Sequence, residues 1–147
     1  MKYYQIREMQ VKYKNFRKVK RVKLPTPDMV VEWFRSLQDE VVEKFLTIYL
    51  NSASEVICFS ADFRGGGSTC YIEPKVVMRN ACICNASAII LVHNHPSGNP
   101  APSGSDRELT EEFIRAGKIL GVKVLDFLII GLDGFTSLRK DGEVIFG

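Results

Sequence analysis

The only two histidines of the 147-residue chain, His93 and His95, stand two positions apart at the end of an apolar run. In extended backbone, residues i and i+2 point to the same side, so both imidazoles can reach one ion. A loop rich in proline and glycine follows, and Asp106 falls in the first turn of the helix after it. Two imidazoles and a carboxylate would leave a fourth position open, as in catalytic rather than structural zinc sites. Such an ion lowers the pKa of water and polarises a carbonyl. Each residue also has a plainer reading. The histidines can be ordinary strand-end residues, Asp106 a helix cap, and Ser103 a turn residue. It is their concentration within residues 93–106 of one strand–loop–helix that points to chemistry.

His93, one residue, His95, seven residues, Ser103, two residues and Asp106 together resemble the JAMM signature of the JAB/MPN metalloprotease family. The fuller string HNHPSGNPAPSGSD, preceded by RNACICNASAIILV and followed by AGKILGVKVLDFLIIG, is similar to the RadC branch of bacterial JAB proteins. The resemblance covers about residues 25–147. It implies a cytidine-deaminase-like α/β fold and one zinc per chain, held by His93, His95 and Asp106. It also implies hydrolysis of a peptide or isopeptide bond in a protein or peptide substrate. By the same resemblance, a glutamate at the start of the first core strand holds the attacking water, and Glu43-Lys44-Phe45 matches that context. A carboxylate there would take a proton from water and return it to the leaving amine, and Ser103 would hydrogen-bond the developing oxyanion. Glu40, Glu55 and Glu73 compete with Glu43, since sequence alone places none of them beside the metal. The chain departs from the RadC pattern in two ways. It has no room for a helix-hairpin-helix module, and Phe127 stands where a histidine commonly follows Val-Leu-Asp. A zinc deaminase would share the fold, but its H-x-E and P-C-x-x-C signatures are missing.

The elements that must position these residues follow from patterning. Thr26-Pro27 is a helix start, and Val30, Trp33, Phe34 and Leu37 form one apolar helical face. Phe45–Leu50 reads as a strand with Leu46, Ile48 and Leu50 on one face and Glu43, Phe45, Thr47 and Tyr49 on the other. Val56–Phe63 is a second strand, followed by a Gly65-Gly66-Gly67 turn. Pro74 opens a helix to about Asn85, and Ala88–Val92 is a short strand buried on both faces. After the loop at Asn94–Gly104, a helix starts near Ser105. Leu109, Phe113, Ala116 and Leu120 mark its buried stripe, and Gly121 is its stop. Val122–Ile130 is a further buried strand. Asp133-Gly134 and Asp141-Gly142 then predict hairpin turns of a small antiparallel meander. The expected architecture is α/β (α+β), a mixed sheet flanked by helices.

Composition sets the outer limits. At 46% hydrophobic and 25% charged, the chain is one ordinary globular domain rather than a disordered or fibrous protein. No apolar run approaches the roughly 20 residues that span a bilayer. Four cysteines, Cys58, Cys70, Cys82 and Cys84, are too sparse for a disulfide scaffold, and the start of the chain has no apolar export segment. A reducing cytoplasm is the expected setting. Cys82 and Cys84 make a poor chelate on a helix and read as buried structural thiols. The net charge of +3 divides into +8 over residues 1–24 and −5 over the rest. The basic arm at residues 1–24 is read as a solvated edge strand, with a nucleic-acid contact as the rival. That rival carries the alternative function, a DNA-associated RadC-like accessory protein. A metal-binding scaffold without activity is the third reading, and the intact set of five site residues argues against it. The sequence does not speak to oligomeric state.

Overall fold

The structure is a computed structural model that describes residues 9–10, 12–14, 22–23, 25–64 and 72–147. Most of the basic arm, Cys70 and the expected glycine turn at 65–67 lie outside the described residues. The element order is α1 (Pro27–Trp33), a 3-10 turn (Arg35–Asp39), β1 (Lys44–Leu50), β2 (Val56–Arg64), α2 (Pro74–Ile83), β3 (Ala88–Asn94), α3 (Gly104–Leu120), β4 (Lys123–Ile130) and β5 (Phe135–Ser137). The strands form one sheet in the order β2-β1-β3-β4-β5. β3 and β4 run parallel, and the other pairs are antiparallel. This is the expected mixed α/β architecture.

Alternation along the strands sorts their side chains into two cores. On one face, Phe45, Tyr49, Ile89, Leu91, Phe127 and Ile129 pack with Val77, Met78 and Ala81 of α2 and Phe113 of α3. On the other, Leu46, Ile48, Leu50, Ile90, Val92, Leu128 and Ile130 pack with Val30, Phe34 and Leu37. The two faces expected for β1 are therefore the observed ones. The polar members of its first face are satisfied where they are buried: Thr47 donates to Asp62 at 2.6 Å, and the Tyr49 and Ser60 hydroxyls lie 2.9 Å apart. Since His93 follows Ile89 and Leu91 in phase, its side chain belongs to the face covered by α2 and α3.

Four local readings need correction. The first helix breaks at Phe34, whose backbone N–H is shared between the carbonyls of Val30 and Val31, and the chain continues as a 3-10 turn. Phe34 and Leu37 stay buried all the same. In α3 the buried line runs through Asp106, Thr110, Phe113 and Gly117, while Leu120 is exposed. Gly117 takes the inner position because the helix end approaches the next strand closely: a Cβ there would lie 2.2 Å from the Val122 carbonyl oxygen. Only Asp133-Gly134 joins two strands. Beyond β5 the chain turns instead of pairing, because the Asp126 carboxylate collects the Ser137 hydroxyl (2.6 Å) and the Arg139 N–H (3.1 Å). Val144 and Phe146 then pack against the core shared by α2 and α3. Finally, Cys82 is exposed and Cys84 half-buried, so the first of these is not a buried thiol.

Among the described residues, Lys23 bridges Glu55, and the Val22 carbonyl accepts the Val56 N–H at 3.3 Å. No helix among the described residues is long and apolar enough to cross a membrane.

The close approach at Gly117 predicts a contrast between two glycines of α3. Gly117→Ala drives a methyl into backbone that cannot move aside, an overpacking cost of about 1–3 kcal/mol. Gly104→Ala has nothing within 4 Å of the added carbon and should stabilise by about 0.4–1 kcal/mol through the unfolded chain. Urea denaturation midpoints of the two variants read the difference. Equal midpoints would contradict the packing described.

Candidate metal centre

Three elements deliver the site. β3 supplies His93 near its end, and His95 follows one residue beyond the strand, in phase with it. The parallel step from β3 to β4 passes through α3, whose first turn carries Asp106. β1 lies antiparallel against β3 with Phe45 opposite His93, so the residue before β1, Glu43, arrives at the same sheet end. Glu43, His93 and His95 each present a ligand atom within 4.8 Å of the others. The His93 Nε2 lies 3.7 Å from Glu43 Oε1 and 3.5 Å from Asp106 Oδ1, and the His95 Nε2 lies 3.3 Å from Asp106 Oδ2.

These spacings suit a shared small ion. Ligands about 2.0–2.1 Å from a tetrahedral zinc stand about 3.3 Å from one another. A second observation points the same way: both ring nitrogens of His93 are buried with no hydrogen-bond partner among the described residues. Buried polar atoms are normally paired, and an electrophile at Nε2 would pair one of them. The ring is walled by aromatic side chains, with Phe127 at 5.9 Å and Phe45 at 6.2 Å between centroids. The Phe127 side chain offers His93 Nδ1 no hydrogen-bond partner.

Charge states follow from these surroundings. Burial pushes the His93 imidazole down to about 4, against the upward pull of Asp106, so it is neutral at pH 7 with a lone pair to give. For Asp106, burial acts upward, but hydrogen bonds from His95 and Ser103 and the nearby His93 outweigh it and hold the carboxyl at about 2. The hydrogen bond to Asp106 raises His95 above its usual value, with the Asn99 carbonyl also contributing. Burial raises Glu43 above the ordinary carboxylate value, and Asp106 adds to the rise while His95 opposes it. A carboxyl shifted upward is better matched to proton transfer near neutrality.

The supporting contacts are specific. Ser103 and Asp106 form a reciprocal cap: Ser103 Oγ accepts the Asp106 N–H at 3.1 Å, and the Ser103 N–H donates to Asp106 Oδ2 at 2.7 Å. The Ser103 hydroxyl also donates to Oδ2, at 2.7 Å, so it is directed at Asp106 in this arrangement. His95 Nδ1 lies 2.9 Å from the Asn99 carbonyl. With Nδ1 as the donor in that contact, loss of the Nε2 proton would leave the Nε2 lone pair facing the centre. The Asn99 loop is held to the sheet end, since the Leu132 N–H donates to the Gly98 carbonyl at 2.9 Å. It also sits where a Cβ on Gly131 would come within 2.3 Å of the Gly98 oxygen. Nothing in the sequence singles out Asn99, because its part is played by backbone. Gly131, directly after the apolar run of β4, is the one local sign of that close approach.

Of the four glutamates that compete for the acid–base position, only Glu43 joins the histidines among the described residues. Glu40 pairs with Lys44. Glu55 sits at the far end of β1 against Asn51. Glu73 is exposed at the start of α2.

The model of the RadC-like JAB domain family matches residues 24–143. The chain is 38% identical over 125 residues to a UPF0758 protein of Symbiobacterium thermophilum, covering 84% of this chain and 53% of that one. It is 40% identical over 115 residues to a UPF0758 protein of Bacillus mycoides, covering 78% and 50%. A UPF0758 protein of Desulforudis audaxviator is 44% identical over 100 residues, covering 68% and 44%. The chain thus spans about half the length of the curated relatives it matches. With most of its residues under one family model and relatives near 40% identity, this chain belongs to the RadC-like JAB domain family.

Proposed function

We propose that the chain is a zinc-dependent metallopeptidase that hydrolyses a peptide or isopeptide bond with an activated water. The observation that carries this reading is the convergence of Glu43 on the two histidines, one of which keeps both ring nitrogens buried with no hydrogen-bond partner among the described residues. His93, His95 and Asp106 would hold the ion through Nε2, Nε2 and a carboxylate oxygen. Bound zinc supplies a Lewis acid that acidifies water and polarises the scissile carbonyl.

The remaining work falls to side chains. Glu43, partly exposed at the mouth of the site, accepts the proton of the attacking water and passes it to the leaving nitrogen. That transfer lets an amine depart rather than an amide anion. Ser103 lies on the exposed side of Asp106, and its hydroxyl can turn from Oδ2 toward the oxygen that gains charge at the substrate carbonyl. Asp106 does not come loose when it turns, because the Ser103 backbone N–H still holds Oδ2.

Metal content tests the ligand set directly. The full chain, stripped of metal and titrated with zinc, should take up about one equivalent. His93→Ala should lose most of that uptake. Wild-type protein that takes up no zinc would remove the proposal.

Protons should compete with the metal at His95. Its pKa lies above the ordinary histidine value, so zinc must displace a proton from it at higher pH than it would from an ordinary histidine. As pH falls through that raised pKa, apparent zinc affinity should drop about tenfold per pH unit. His93 should not contribute until far more acidic conditions, because its pKa is about 4. Calorimetric titration in two buffers of different ionisation enthalpy measures the proton released. Release that stays at zero from pH 8 to pH 6 would contradict the assignment.

Catalysis separates from metal binding at Glu43. Glu43→Gln keeps the size of the side chain and removes its titrating group. The variant should retain about one zinc and lose roughly 10²-fold or more in turnover on a quenched peptide library. Unchanged turnover beside an inactive His93→Ala would move the proton acceptor elsewhere.

A further inference from the structure

The backbone ladder between β1 and β3 ends at the pair Phe45–His93. The next residue of β3, Asn94, is 1% exposed and has Ile130 of β4 as its backbone partner. Its side chain takes over toward β1 where the ladder stops. Asn94 Oδ1 accepts the Lys44 N–H at 2.7 Å, and Asn94 Nδ2 donates to the Val42 carbonyl at 3.2 Å. Those two groups lie on either side of Glu43. An amide side chain carries an acceptor and a donor on one carbon, as a peptide unit does, so one residue can grip the chain at two points. Aspartate would lose the donor, and serine is too short to reach both.

The grip has a target. The chain ahead of β1 leaves the 3-10 turn through Val41, which is 87% exposed. Glu43 has no strand partner of its own, yet its Oε1 stands 3.7 Å from the His93 Nε2. Phase alone accounts for the histidines, but Glu43 lies before the first paired residue of its strand. The spacing of the motif has a matching sense: Asn94 sits between the two histidines and on the opposite face of β3 from them. The strand that presents two metal ligands on one face therefore uses the residue between them to set the glutamate.

We infer that Asn94 is a positioning residue, which clamps the backbone on both sides of Glu43 and so fixes its carboxylate over the His93–His95–Asp106 centre. The catalytic meaning of the clamp rests on the acid–base role proposed for Glu43, whereas the clamp itself does not. If Glu43 acts as proposed, a misplacement of about 1 Å costs on the order of 10²-fold in rate, and Asn94→Ala should approach that loss.

The test uses the full chain, with cobalt(II) as a spectroscopic probe of the centre. In wild-type protein, a coupling through the hydrogen bond should connect the Lys44 amide nitrogen to the Asn94 side-chain carbonyl carbon. In Asn94→Ala, exchange of the Lys44 amide hydrogen should accelerate at least tenfold while Ile48, inside β1, keeps its protection. Asn94→Asp retains the acceptor and should keep Lys44 protected. In the cobalt-loaded chain, Asn94→Ala should move the visible spectrum in the same direction as Glu43→Gln, and the double variant should match Glu43→Gln alone. A side chain that merely closes the sheet end would change Lys44 without touching the spectrum. Three results overturn the inference: no coupling in wild type, an unchanged Lys44 amide in Asn94→Ala, or a wild-type spectrum in Asn94→Ala where Glu43→Gln shifts it. If Asn94→Ala does not fold, the wild-type coupling and Asn94→Asp decide. A wild-type chain that binds no cobalt, or a spectrum that Glu43→Gln leaves unmoved, counts against the proposed function. The Lys44 amide then still decides the clamp.

Discussion

A neutral imidazole buried with no hydrogen-bond partner among the described residues is the constraint around which this fold is arranged. His93 lies in a central strand, flanked by β1 and β4, with Phe45 and Phe127 against its ring. Desolvation at that depth disfavours its protonated form and leaves two nitrogens with no hydrogen-bond partner among the described residues. A polar group left this way costs stability. The cost makes sense only if Nε2 has a task, and the oxygens 3.5 and 3.7 Å away define it.

The topology brings the carboxylates there by two different routes. Asp106 arrives by the parallel connection, in which α3 must return across the sheet before β4 begins, so its first turn starts beside the end of β3. Glu43 arrives by antiparallel pairing, which sets the start of β1 opposite the end of β3. The two donors therefore depend on different parts of the chain, and neither connection alone builds the site. The Asn99 loop adds a third dependence, because its carbonyl orients His95 only while Gly98 and Gly131 remain in close contact.

How much of this could be read from the residues depends on the range of each interaction. The two faces of β1 and the shared side of His93 and His95 follow from alternation over a few residues, so they are legible. The stop of α3 at Gly121 is equally local, and the residue adopts φ 71° there. The buried line of α3 is not local. It is rotated toward Asp106 and Gly117 because the cluster around His93 and the approach of Val122 claim those positions, and this leaves Leu120 in solvent. The tail likewise turns on Asp126, eleven residues before Ser137. Glu43 is the extreme case. It lies fifty residues from His93, its neighbours Glu40 and Glu55 are chemically identical, and only strand register distinguishes them. The family resemblance supplied that register, and hydrophobic patterning could not.

Asp106 shows why the plain and the chemical readings of a motif residue need not compete. As a cap it satisfies the Ser103 N–H, which would otherwise be among the unpaired groups at the start of α3, and it places negative charge where the helix dipole favours it. Those bonds go to Oδ2. Oδ1 takes no part in the cap and stands 3.5 Å from the His93 Nε2. The two oxygens of one carboxylate are thus used differently: Oδ2 locks the helix to its loop and also stands 3.3 Å from the His95 Nε2, while Oδ1, outside the cap, faces His93. Because the lock fixes the rotamer, the second oxygen is aimed before any ligand arrives. Helix initiation and preorganisation of the site are then a single local event, in which Ser103 supplies both the hydroxyl and the N–H that hold Asp106 in place.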